Sequence, residues 1–260
     1  MTEPLLVVEN LCIYASFLRS TEKIVGSISF CLNEGERLAI VGESGSGKSM
    51  IVNALTSSLA DNCYATGRIL FDGIDLIEKK KNEKRLLGRQ IVFVPQGGAE
   101  SLNPSLKIKT QIYEAFSRTG IKLNTEEKKA YSIYNLARVG LKNGAEILGK
   151  YPFEISGGEA QRVVLAMAMC AEPKLIVADE ATRGIDETAS TVFWKCIDND
   201  FDKSALIVVT HDMSVAQRCD YALVLKDGQV QEFGRAAEVL ANPQSEYTKD
   251  LISACEVDYA

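Results

Sequence analysis

An apolar run, Leu38-Ala-Ile-Val41, leads directly into Gly42-Glu43-Ser44-Gly45-Ser46-Gly47-Lys48-Ser49. Strand-like residues followed by G-x-x-x-x-G-K-[ST] admit few folds, because such a loop works between a buried strand and a helix N-terminus. Gly42, Gly45 and Gly47 allow conformations that turn successive backbone N–H groups inward, making a nest for phosphate oxygens. A helix expected from about Ser49 to Ser58 adds its positive end. Lys48 has the reach and charge for the β- and γ-phosphates, and the Ser49 hydroxyl suits Mg²⁺. Alone, the motif says only that a nucleotide binds.

The rest of the chain bounds what surrounds that loop. With 260 residues and 46% hydrophobic content it supports a substantial core, in one large domain or two small ones. A net charge of −6 gives no support for nucleic acid as the main partner. The opening Met1-Thr-Glu-Pro4 lacks the pattern of a secretory signal, and the longest apolar run, Val163 to Ala171, is far below the roughly 18 residues of a spanning helix. A soluble intracellular chain is expected, touching a membrane only through another protein or an exposed surface. The seven cysteines show no C-x-x-C spacing, so neither zinc nor an iron–sulfur cluster is suggested. Cys31 and Cys170 sit in apolar stretches and read as small buried hydrophobes. The basic run from Lys79 to Arg85, with Glu78 and Glu83, reads as a solvated loop or helix start.

Further strands are predicted at Leu5–Val8, Ile28–Leu32, Arg68–Phe71, Ile91–Val94, Leu175–Ala178, Leu206–Val209 and Ala222–Leu225. Several are short continuous apolar runs, as in parallel strands buried on both faces. Between Leu102 and Lys150 the texture becomes helical. Asn124-Thr-Glu-Glu127 forms a helix start, followed by Ile133, Leu136, Ala137 and Val139 at helical spacing. This stretch reads as a helical subdomain inserted into an α/β core.

Asp179 and Glu180 end an apolar strand, where a parallel sheet places its active crevice. A strand-terminal Asp-Glu is often only a helix cap. Downstream of a phosphate loop, Asp179 reads as a Mg²⁺ ligand through water and Glu180 as the general base for the attacking water. His211, the only histidine, follows another apolar strand. An isolated histidine is more often incidental; at this strand end it reads as a γ-phosphate contact. Ser156-Gly157-Gly158-Glu159 is a capping box, and equally an anion site at a helix N-terminus. With the chain's own loop holding its own phosphates, this second site is left for another subunit's nucleotide.

Together these segments resemble ATP-binding cassette (ABC) ATPases over essentially the whole chain. The resemblance aligns Walker A with Gly42–Ser49, the Q-loop glutamine with Gln96 and the signature with Ser156–Gln161. Walker B falls on Leu175–Asp179, the catalytic glutamate on Glu180, the D-loop aspartate on Asp186 and the switch histidine on His211. It implies a P-loop NTPase, RecA-like α/β fold with an N-terminal antiparallel β subdomain and an inserted α-helical subdomain. The expected division is a core at 1–96 and 160–235, helices at 97–159 and a tail at 236–260. ATP and Mg²⁺ are implied, the metal held by Ser49, Gln96 and Asp179, with Asp186 and Ser156–Glu159 acting on nucleotide. Two such domains pair head to tail in this family, each ATP lying between one loop and the other signature, which suits an isologous or pseudo-isologous dimer.

Ser101-Leu-Asn-Pro104, Tyr151-Pro-Phe-Glu154 and the tail Asn242-Pro-Gln…Tyr247-Thr…Leu251 resemble the oligopeptide, dipeptide and nickel importers. That subfamily implies an ATPase at the cytoplasmic face of the inner membrane, powering import of peptides, nickel or a metal chelate. Its partners would be two permease subunits, a second ATPase, identical or a paralogue, and indirectly a solute-binding protein. The competing class is a soluble ABC ATPase of DNA repair or translation. Some positions depart from the pattern: Ala181 replaces proline, Ile155 replaces leucine, and the D-loop reads Arg183-Gly-Ile-Asp186. Where an aromatic should stack on adenine, ungapped alignment gives Ala15, with Tyr14 and Phe17 nearby; Tyr14 is the expected contact.

Overall fold

The structure, a computed structural model, describes residues 3–78, 86–181 and 187–257, with backbone alone at 187–189 and 255–257. The basic run at 79–85 and the D-loop stretch at 182–186 lie outside the described residues. The chain begins β1 (Leu6–Ser16), β2 (Thr21–Leu32), β3 (Arg37–Val41), α1 (Lys48–Leu55), β4 (Cys63–Phe71), β5 (Ile74–Asp75) and β6 (Ile91–Val94). Helices follow: α2 (Gly98–Ser101), α3 (Ile108–Thr119), α4 (Thr125–Arg138), α5 (Gly144–Ile147) and α6 (Gly157–Ala168). The remainder is β7 (Leu175–Asp179), α7 (Glu187–Asn199), β8 (Ala205–Thr210), α8 (Met213–Ala216), β9 (Tyr221–Lys226), β10 (Gln229–Arg235), α9 (Ala236–Ala241) and α10 (Glu246–Val257). They form two compact units, Met1–Glu83 with Ala205–Ala260, and Lys84–Ser204.

The first unit holds two sheets. One is antiparallel, in the order β2-β1-β4-β5. Its strands alternate: in β2, Val25, Ile28, Phe30 and Leu32 are buried while Ser27, Ser29 and Cys31 are exposed. That period of two corrects the expectation for Cys31, which faces outward between two core residues. In the other sheet β3 lies between β8 and β9, parallel to both, and β10 is antiparallel to β9. Every residue of β8 and all of Leu38–Val41 are buried, the signature of a strand covered on both faces.

In the second unit β6 and β7 pair in parallel, and α6 packs against α2, α3, α4, α7 and β6. The α4 start is as the sequence predicts: Asn124 Oδ1 accepts from Glu127 N–H, and Glu127 accepts from Asn124 N–H. Its buried face departs from the predicted stripe. Leu136 is buried and Ala137 exposed, while Ser132 and Asn135 are buried. Both polar side chains are satisfied, Ser132 by the Lys128 carbonyl at 2.6 Å and Asn135 against Cys170 Sγ at 3.8 Å. Cys170 is buried as expected, and burial pushes its thiol up to about 12.

Candidate functional site

In the first unit the phosphate loop leaves the C-terminal end of β3 and becomes α1 at Lys48. Gly42, Gly45 and Gly47 all have positive φ, at 156°, 84° and 101°. At Gly42 a further constraint applies: a Cβ there would lie 2.1 Å from the Leu225 carbonyl oxygen, so only glycine lets β9 approach. Gly47 occupies the N-cap of α1 in the left-handed conformation; no side chain caps this helix, and its first turn holds no acidic residue. Neither a side-chain cap nor a first-turn acid therefore offsets the positive end of this helix. Lys48 is buried, its ammonium donating to the carbonyls of Gly42 and Glu43, both at 2.7 Å, and to Ser46 Oγ at 3.4 Å. Ser49 is exposed beside it.

The register places Val41 opposite Thr210 of β8, so the loop and His211 emerge from the C-terminal ends of neighbouring parallel strands. His211 is exposed at that edge. Tyr14 lies on the antiparallel sheet, stacked on Tyr64 with centroids 5.1 Å apart and the Lys23 ammonium 5.8 Å from its ring. Contacts from distant chain positions complete the loop: Gly228 N–H donates to the Ser46 carbonyl at 2.9 Å, and Glu43 N–H to the Tyr247 hydroxyl at 3.2 Å. No spacing pattern signals these two.

In the second unit the same logic recurs. Val94 of β6 lies opposite Ala178 of β7, so Gln96, Asp179 and Glu180 follow from neighbouring parallel strand ends. Glu180 has φ of +43°. Asn10, Asp72 and Asp227, also at positive φ, are of the types that tolerate it; glutamate, like Ser57, is not. Strain of this kind costs on the order of 1–3 kcal/mol and collects at functional positions. The following residue is anchored, because Gln161 Nε2 of α6 donates to the Ala181 carbonyl at 3.1 Å. Gln161 is buried and α2 lies tight upon it: a Cβ on Gly98 would sit 2.1 Å from Gln161 N. Sequence reading placed Gln161 in the signature but did not find this link.

The signature forms the α6 start. Ser156 Oγ accepts from Glu159 N–H at 3.2 Å, and Glu159 accepts from Ser156 N–H at 2.8 Å. The Ser156 N–H bond is the main reason the Glu159 carboxyl stays below its ordinary range. Gly157 has nothing within 4 Å of where a Cβ would stand, and it lies inside the helix rather than at positive φ.

Ser49 in the first unit and Gln96 and Asp179 in the second carry hydroxyl, amide and carboxylate oxygens, the hard donor types that suit Mg²⁺. No cluster of three or more His, Cys, Asp or Glu able to hold a metal occurs among the described residues. Mg²⁺ typically keeps several waters and binds through few protein ligands, so a dense cluster is not required. The second unit also holds a cavity of about 370 Å³, lined in part by Phe93, Pro95, Leu102, Leu106, Val164 and Met167.

Comparison with known proteins gives a consistent result. The sequence profile of the ABC transporter family matches residues 25–183. A metal-staphylopine import system ATP-binding protein of Staphylococcus aureus is 34% identical over 254 residues, covering 96% of this chain and 92% of the relative. An oligopeptide transport ATP-binding protein of Bacillus subtilis is 34% identical over 257 residues, covering 96% of this chain and 71% of the relative. Among solved structures, a dimeric ATP-binding cassette in a post-hydrolysis state with ADP and Pi aligns with a TM-score of 0.77. It is 25% identical, with 89% of this chain and 98% of that chain covered.

Proposed function

The chain belongs to the ABC transporter family, and on that premise we propose that it is the ATP-hydrolysing subunit of an importer for peptides, nickel or a metal chelate. Lys48 and the loop N–H groups bind the phosphates; Ser49, Gln96 and Asp179 hold Mg²⁺, which offsets phosphate charge when bound. Glu180 orients and deprotonates the attacking water, and His211 and Gln96 contact the γ-phosphate side. Tyr14 packs against the adenine. Asp186 and Ser156, Gly157, Gly158 and Glu159 act on the nucleotide held by a second ATPase.

The observation that carries the reading is Gly157. At the first position of α6, neither φ nor any contact among the described residues requires a glycine. Its need lies outside the chain, as when a partner's phosphates approach the α6 N-terminus. Transport partners are inferred from the relatives and from the second unit's apolar cavity, which suits a short segment of a membrane subunit. No helix among the described residues is long and apolar enough to cross a membrane. From the transport relatives we place the chain peripherally at the cytoplasmic face of the inner membrane. Purification from membranes with a tag tests this. Permease subunits should accompany the chain, and the complex should release phosphate from ATP. Phosphate release without membrane partners would favour a soluble ABC ATPase; absent phosphate release would remove the hydrolytic role.

A further inference from the structure

The phosphate loop is gripped by a residue 204 positions away. Tyr247, in the first turn of α10, is buried, and its hydroxyl accepts the Glu43 N–H at 3.2 Å. Its ring lies 4.6 Å from the ammonium of Lys226, the last residue of β9. The neighbouring Leu225 carbonyl is the one that presses on Gly42. The α10 helix is itself fastened at its start, since the Glu232 carboxylate of β10 accepts from Gln244 N–H at 3.0 Å and Ser245 N–H at 3.1 Å. Burial, together with the Glu43 and Asp227 carboxylates, raises the Tyr247 phenol above its ordinary value, so it is neutral at physiological pH.

The Gly42–Glu43 peptide is thus held on both sides, its N–H by Tyr247 and its carbonyl by Lys48. On the reading of Gly42–Ser49 as the nucleotide loop, Lys48 gives up the Gly42 and Glu43 carbonyls when it turns to phosphate. The Tyr247 contact does not compete with phosphate for Lys48. We propose that Tyr247 is a positioning residue: through the Gly42–Glu43 peptide, the C-terminal helix keeps the loop open to phosphate as its lysine changes partners. A loop held in its binding shape spends less of the interaction energy on ordering, which shows in affinity rather than in the chemical step.

Tyr247→Phe removes the hydroxyl and keeps the ring over Lys226. In the full-length chain it should raise both the dissociation constant and KM for ATP about fivefold, the worth of one hydrogen bond. The kcat at saturating ATP should stay within about twofold, and the melting temperature within about 2 °C. Tyr247→Ala, which also removes the ring, should weaken ATP further and lower the melting temperature. Lys48→Ala, measured alongside, separates the two levels of the argument. If Lys48→Ala loses ATP and Tyr247→Phe binds it like the wild type, Tyr247 has no positioning role. If Tyr247→Phe lowers kcat or stability with KM unchanged, its role is structural or catalytic and the proposal is overturned. If Lys48→Ala itself retains ATP affinity, the loop is not the nucleotide site and the proposal falls with that reading.

Discussion

α1 follows a glycine N-cap and α6 begins with two glycines, and both face the same physical problem, a set of N–H groups without intrahelical acceptors. They solve it oppositely. At α1 no side chain caps the end, and a buried lysine stands next to a loop of three positive-φ glycines. At α6 the chain closes the end itself, with Ser156 and a carboxylate at Glu159. The first arrangement concentrates positive potential; the second offsets much of it. On the proposed reading, α1 holds the chain's own phosphates, and α6, already capped, meets a phosphate held by another subunit. A glycine-rich helix start does not by itself specify an anion site; what fills its first turn does.

The largest expected effect concerns the chemistry at the end of β7. Glu180→Gln keeps shape and removes the base, so turnover should fall by a factor of about 10²–10⁴ while ATP binding persists. Phosphate release at near wild-type rate would remove Glu180 from that role.

The glycines give the next tests. Gly98→Ala drives a methyl against the backbone of Gln161, and relief requires α2 and α6 to separate. It should cost about 1–3 kcal/mol and loosen the Gln161–Ala181 contact beside Glu180. Gly157→Ala meets no atom of the described residues, so stability should hold or rise by up to about 1 kcal/mol. Turnover should nonetheless drop, because the methyl occupies space a partner's nucleotide needs. Thermal melts and phosphate release on both variants check the pair, and equal behaviour would erase the contrast.

The smallest effect is electrostatic. The Glu159 carboxyl is held below its ordinary 4.5, chiefly by the Ser156 N–H. Its folded pKa is depressed, so its capping contribution is complete above about pH 4.5 and fades as pH falls through the lower folded value. Glu159→Gln should melt a little below the wild type at pH 7, and the two should converge on acidification. Parallel curves across that range would deny the carboxylate its capping role.

The sequence revealed the parts of the fold that are locally encoded. β6 has the predicted bounds Ile91–Val94, because a strand covered on both faces is apolar throughout. The antiparallel strands were read short: β1 continues past Val8 through Glu9 and Asn10, exposed residues at a register shift, to Ser16. Similarly, β4 begins at Cys63, well before Arg68. Polar residues on an outer face hide such strands from a search for apolar runs. Strand ends in the sequence put Asp179, Glu180 and His211 at the ends of parallel strands, and the structure has them there; Gln96 came from the family resemblance alone. The Leu225 carbonyl at Gly42, the Tyr247 hydroxyl and the Gln161–Ala181 link were invisible, since each joins segments that only the fold brings together.

The contrast between the two helix starts is tested most directly by measuring ATP affinity and turnover for Lys48→Ala and Gly157→Asp side by side. Lys48→Ala should lose affinity itself, because it removes a charge from the chain's own phosphate site. Gly157→Asp leaves that site untouched and sets a negative charge where a partner's phosphate must approach. It should bind ATP like the wild type, yet turn over more than about a hundredfold more slowly. Normal turnover in Gly157→Asp would mean that the α6 start is only a capped helix.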